Sequence, residues 1–143
     1  MSIFDSMRIN SSGLSLERLK LDTISSNIAN VNTTRTEEGG PYQKKTVVFE
    51  ESLMQKTSDL AGSINEKSFG VRATGIESSD EIVIEYNPTH PDADEFGYVT
   101  KSNVNMADEM VEMMNTIRTY EANVTATNAS KNMLSKALEI SAR

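Results

Sequence analysis

MADEMVEMMNTIRTYEANVTATNASKNMLSKALEI, residues 106–140, is the stretch whose reading decides the fold. It contains neither proline nor glycine, the two residues least compatible with a helix interior. Met110, Met113, Ile117, Tyr120, Val124, Leu134 and Leu138 recur at spacings of three and four. One row, Met110, Ile117, Val124, Lys131 and Leu138, repeats every seven residues, and Met113, Tyr120, Thr127 and Leu134 run beside it. Such a repeat makes a narrow stripe along one long helix and calls for a partner helix. At ~1.5 Å per residue the helix spans roughly 50 Å, too long to hide its stripe against one small globule.

A second helical stripe lies at the other end of the chain. Ile3, Met7, Leu14, Leu21, Ile24, Ile28 and Val31 fit spacings of three, four and seven. The pattern predicts a helix from about Ile3 to Asn30, loosened near Ser11–Gly13, where glycine costs ~1 kcal/mol against alanine. Asn27, Asn30 and Asn32 crowd its end, and asparagine tolerates the left-handed backbone of a helix stop. Pairing the two stripes makes Met7, Leu14, Leu21, Ile24 and Ile28 candidate subunit-interface residues on the first helix. Met110, Met113, Ile117, Tyr120, Val124, Leu134 and Leu138 are their counterparts on the last.

Between the helices the sequence changes character. Thr33–Gln43 is a connector, with Gly39, Gly40 and Pro41 forming a turn. Thr46–Phe49 reads as a short strand, Val71–Ile76 and Ile82–Tyr86 as two more, and Tyr98–Val99 as a last short one. Residues 50–70 are polar and lack a clear period, which suggests a flexible excursion. The segment 87–97 is a loop restrained by Pro88 and Pro91. Ser102 or Asn103 is placed to cap the final helix, with Asp108 and Glu109 in its first turn. The expected fold is mainly α with a small β-rich insert: long N- and C-terminal helices (1–32 and 106–143) paired as a coiled-coil-like element, and an acidic β-rich protrusion (33–105).

Composition narrows the function. The 143 residues suffice for one ordinary domain. With 37% apolar residues and no tryptophan, a large core is not expected. The absence of cysteine excludes disulfides, thiolate zinc sites and cysteine nucleophiles. Residues 1–45 carry six basic and five acidic side chains, 46–105 four and eleven, and 106–143 four and five. The acidity is thus confined to the middle, which disfavours nucleic acid. The near-neutral ends can pack against copies or relatives. The opening MSIFDSMRINSSG lacks a signal-peptide pattern. No segment approaches the ~18–20 apolar residues of a membrane span, so no direct membrane insertion is expected.

Catalytic and metal chemistry find little support. His90, the single histidine, lies beside Asp92, Asp94 and Glu95, but the loop lacks the glycine and the twelfth-position glutamate of an EF-hand. A rigid turn whose aspartates bond locally is the simpler reading. There is no G-x-S-x-G elbow, and Gly39-Gly40-Pro41 is not followed by a phosphate-binding Lys-Ser/Thr. Met106, Met110, Met113 and Met114 suit helix–helix packing better than a copper site. No cofactor, metal or catalytic residue is expected. Lys131 and Thr127 on one stripe, with Asn10 and Glu17 on the other, are polar. They reflect either imperfect patterning or residues that penalise wrong pairings.

These residues resemble the flagellar basal-body rod proteins, closest to the subunits of the proximal rod. The likeness runs through Ser12-Gly13-Leu14, Arg18, Asp22 and Ser25 to Thr34, which contains the signature Asn27-Ile28-Ala29-Asn30. It continues through Gly40-Pro41-Tyr42-Gln43-Lys44-Lys45 and Val47-Val48-Phe49. Further matches are Tyr86 to Asp94, which includes His90-Pro91-Asp92, and Gly97-Tyr98-Val99. The C-terminal part contributes Asn103-Val104-Asn105, Glu109-Met110, Arg118 to Asn123, Lys131 and Met133. Ser102 and Gln43 depart from the family, which often has Pro and Arg there. The resemblance implies a structural subunit that assembles helically and transmits motor torque. Its expected partners are other rod proteins, proximal and distal, copies of itself, the flagellar type III export apparatus and basal-body ring components. Its expected location is the basal body, beyond the cytoplasmic membrane in the periplasm or cell-wall space. With too little partner surface within one chain, the terminal helices are expected to be weakly ordered before assembly. The alternatives are a soluble helical adaptor or export chaperone, against which the acidic insert argues, and a peptidoglycan-cleaving accessory, which lacks suitably spaced carboxylates.

Overall fold

A computed structural model describes residues 3–37, 39–57 and 64–141. Its elements are α1 (Ile3–Ala29), β1 (Lys45–Thr57), β2 (Ile64–Ser78), β3 (Val83–Tyr86), β4 (Tyr98–Lys101) and α2 (Met106–Ser141). β1 and β2 pair antiparallel from Lys45↔Ser78 to Thr57↔Ile64, and β3 pairs antiparallel with β4. The fold is therefore two long terminal helices that contact each other, with two small two-stranded sheets between them. α1 is central, packing against α2 and against both strands of the long hairpin.

The helices run antiparallel. Asn27 meets Glu109 at one end of the seam and Gly13 meets Asn123 further along. Continuing that register puts Ile3 opposite about residue 133, so α2 outruns α1 by about two turns. The hydrophobic core is small: Leu16, Ile24, Tyr42, Val47, Val99 and Val104 are the buried apolar side chains among the described residues.

Three details differ from the sequence expectations. α1 is unbroken through Ser11–Gly13, because its glycine serves helix approach: a Cβ at Gly13 would stand 3.0 Å from Asn123 Nδ2. Residues 50–57 and 64–70 are strand, not an irregular excursion; residues 58–63 lie outside the described residues. Cross-strand pairing organises this polar stretch, with register shifts at Val48/Phe49 and Glu51/Leu53. Gly70, at φ +109°, lies so close to α1 that a Cβ there would overlap Ser12 Oγ. Val71 N–H donates to that hydroxyl at 3.1 Å, fastening β2 to α1.

The third difference is the cap of α2, which is Asn105. Its Oδ1 accepts from Ala107 N–H at 3.0 Å and its carbonyl from Glu109 N–H. Ser102 and Asn103 do other work. Ser102 Oγ accepts from Val104 N–H, while Asn103 takes Lys44 N–H on Oδ1 at 2.7 Å and donates to the Ser79 carbonyl.

Candidate functional site

Two surfaces are candidates for function, a buried polar junction and an exposed helix face. The junction is built around Asn27, at the end of α1 and 1% exposed. Its amide Nδ2 donates to the Lys45 carbonyl at 2.8 Å and to Glu109 Oε2 at 3.0 Å. Its Oδ1 accepts from Lys45 N–H and from the Tyr42 hydroxyl, each at 3.0 Å. Both donors and both acceptor positions of the amide are used. The side chain thus treats Lys45 as a strand partner would, and β1 begins there.

Glu109 closes the junction from α2 and is fully buried. Its Oε1 faces Lys44 Nζ at 2.7 Å and has no hydrogen-bond partner besides that ion-paired ammonium. The hydrogen bond to Glu109 raises the Lys44 pKa above its usual value. Burial opposes the shift, and the negative charges of Glu109, Glu112 and Asp108 add to it. One carboxylate thereby ties α2 to α1 and to the start of the hairpin. A cavity of about 120 Å³ beside it is lined by Lys20, Thr23, Phe49 and Glu112, among others.

The signature residues outside this knot shape the loops. Asn30 Nδ2 donates to the Ser26 carbonyl at 2.8 Å and so finishes α1. Gly39 and Gly40 both have positive φ, and the turn they make returns Tyr42 N–H to the Thr33 carbonyl. Thr34 reaches Asp92 Oδ2 at 2.8 Å, joining the connector to the 87–97 loop. Within that loop His90 Nδ1 accepts from Asp92 N–H, and Asp94 Oδ1 accepts from Phe96 and Tyr98 N–H. Pro91 is exposed, and Gly97 N–H returns to the Asp94 carbonyl. These carboxylates fix turns, and no group of three metal-ligating side chains is found among the described residues.

The helix face follows from which row of α2 is turned inward. Glu109, Thr116 and Ser130 are buried and Asn123 is half-buried, forming a heptad row made entirely of polar residues. Thr116 and Ser130 hydroxyls donate to carbonyls of their own helix, so the seam carries few bonds between helices. Met110, Ile117, Val124 and Lys131 stand one position further on, about 100° around the helix. Met110, Ile117 and Leu138 are accordingly exposed, at 54%, 41% and 63%, whereas Val124 is half-buried. Met113 and Leu134 are half-buried beside the seam and Tyr120 is at its open edge. On α1, Met7, Leu14, Leu21 and Ile28 are half-buried, and Ile24 is buried within the chain itself.

Sequence reasoning missed the inward role of Glu109, because nothing in a helix's first turn marks a carboxylate as buried. The available signal was the all-polar heptad row at 109, 116, 123 and 130, which an apolar search passes over.

Two family models match the ends of the chain. Residues 7–35 fit the flagella basal body rod protein model, and residues 96–140 the C-terminal model of the flagellar basal body rod FlgEFG proteins. The ends of the chain are thus those of a flagellar basal-body rod subunit, a structural protein and not an enzyme. Comparison with whole proteins is narrower. The chain is 40% identical to the flagellar basal-body rod protein FlgC of Borreliella burgdorferi, over 98% of each chain. It is 42% identical to that of Bacillus subtilis, over 98% of this chain and 99% of the other. With that of Salmonella typhimurium the identity is 33%, over 98% and 96%. The chain belongs to the FlgC family of flagellar basal-body rod proteins. Among the described residues no helix is long and apolar enough to cross a membrane.

Proposed function

We propose that this chain is a building block of the proximal rod, stacked helically with copies of itself and with other rod proteins to carry motor torque. The observation that carries the reading is the α2 face bearing Met110, Ile117 and Leu138, which is apolar yet turned away from α1. Burying apolar area is worth ~25 cal/mol per Å², and here that area is available only to neighbouring molecules. A contact that repeats without closing builds a helix of subunits, and torque then passes through many side-chain contacts in parallel. In this reading segments 1–32 and 106–143 form the rod core and 33–105 protrudes from it. Met7, Leu14, Leu21 and Ile28 on α1, with Met110, Met113, Ile117, Tyr120, Val124, Leu134 and Leu138 on α2, supply the contacts between subunits. Ile24 supports them from within.

The subunit travels through the flagellar type III export apparatus to the periplasm or cell-wall space and meets basal-body ring components there. A polar seam is a weak bond between helices, so ordering at ~1–2 kcal/mol per residue is completed by neighbours. The test is Met110→Asp combined with Ile117→Asp in the full chain. The expected variant keeps the helical circular dichroism of the parent, is missing from purified basal bodies and leaves cells non-motile. Incorporation at the parent level overturns the reading.

A further inference from the structure

The outward face of the β3–β4 hairpin is apolar where a solvated face is ordinarily polar. Side chains alternate across a strand, and the register pairs Val83 with Lys101 and Glu85 with Val99 on the inner side. Val99 is 1% exposed there, and Lys101 forms an ion pair with Glu85. The opposite side carries Ile84 and Tyr86 with their partners Thr100 and Tyr98, and Ile82 lies just ahead of β3. Ile82, Ile84 and Tyr86 are each about two-thirds exposed, at 66%, 64% and 64%. The rings of Tyr86 and Tyr98 meet edge to face at 5.4 Å, which makes the patch continuous across both strands. A two-stranded sheet is marginal by itself, and a contiguous exposed apolar patch marks an interaction site.

Charge identifies what fits it. Residues 77–101 carry seven carboxylates against one lysine, Lys101, which is already paired with Glu85. Asp80 and Glu81 lead into β3, and Asp94 and Glu95 precede β4. Another copy would bring the same carboxylates hairpin to hairpin, and its terminal segments, with six basic and five acidic residues in 1–45 and four and five in 106–143, offer no strongly basic rim in their place. We propose that this face docks a different protein, through a surface that is apolar at its centre and rimmed by lysine or arginine. The inference takes its setting from the rod reading, but its chemistry is tested without it.

The probes are two synthetic peptides, one alternating leucine with lysine and one alternating leucine with glutamate. Each carries a fluorescent label and is titrated with the full chain at low salt, and the anisotropy of the label is followed, a readout that does not depend on Tyr86. The expected result is at least tenfold tighter binding of the lysine peptide. Binding should be lost in the Ile84→Thr, Tyr86→Thr double variant, which keeps every carboxylate and the parent circular dichroism. Equal affinity for the two peptides, or undiminished binding to the double variant, overturns the proposal. A photo-crosslinker at Ile84 in the cellular assembly then names the occupant. An adduct with a basic segment of another protein supports the proposal, and an adduct with any part of a second copy, or none, overturns it. Absence of the unsubstituted chain from basal bodies strikes the rod reading alone, because the peptide titration still decides this one.

Discussion

At the junction of α1, the long hairpin and α2, polar side chains are buried and every donor and acceptor of Asn27 is matched. Along the outer face of α2 the reverse holds, and Met110, Ile117 and Leu138 face outward. A self-sufficient domain distributes the two kinds of residue the other way round. The difference separates two tasks. Hydrogen bonds and an ion pair, which are directional, fix how the helices and hairpin meet inside one molecule. Apolar area, which is not directional, is left on the outside, where the proposed packing of subunits would bury it.

The sharpest way to break this comparison is Glu109→Ala. Removing one partner of a buried ion pair costs about 3–5 kcal/mol. Lys44 is 31% exposed, which puts the expected cost at the lower end of that range, and one N–H of Asn27 Nδ2 is also left without its acceptor. Urea denaturation should show a loss of that size, and a change below about 1 kcal/mol would mean that the junction holds nothing together. Asn27→Ala comes next, at about 2–3 kcal/mol, because Lys45 and Tyr42 lose their partners. Gly70→Ala should cost about 1–3 kcal/mol, since φ is +109° and Ser12 Oγ occupies the space of the new methyl group. Its effect belongs to the β2–α1 contact and should add independently to that of Glu109→Ala.

A smaller effect sharpens the role of Lys44. Its pKa is raised in the folded chain by the hydrogen bond to Glu109. Its contribution is therefore fully present below the usual value of 10.5 and is lost as pH rises through the raised folded value. Lys44→Arg stays charged in that range, so between pH 10 and 12 its thermal midpoint should fall less steeply than the parent's. The smallest change in stability is expected from Met110→Ser with Ile117→Ser, within about 0.5 kcal/mol for each exposed site. Entry into the basal body should nevertheless fall strongly. Loss of stability without loss of entry would invert the division of labour drawn above.

Particular residues show how far the sequence could be read. The seven-residue spacing from Met110 to Leu138 and the run from Met7 to Ile28 made both helices legible, since periodicity is local. Gly39-Gly40-Pro41 gave the turn for the same reason. Residues 50–57 and 64–70 were illegible as strand because their alternation is polar and their order comes from pairing across the hairpin. Asn27 and Tyr42 stood out through the family signature, although neither their meeting nor the amide's double bond to Lys45 followed from spacing. Glu109 looked like a favourable charge in a first turn, whereas it is the buried link between the two ends of the chain.

The amino-acid order by itself determined that there are two long helices, an acidic insert between them and an apolar row on each helix. Backbone preference and side-chain period act over a few residues and need no partner. Only the tertiary structure decided which row of α2 turns inward. Helix pairing is settled by the whole facing surface: the close approach at Gly13 and Asn123, together with the Asn27–Glu109–Lys44 bonds, rotates the polar row into the seam and leaves the apolar row outside.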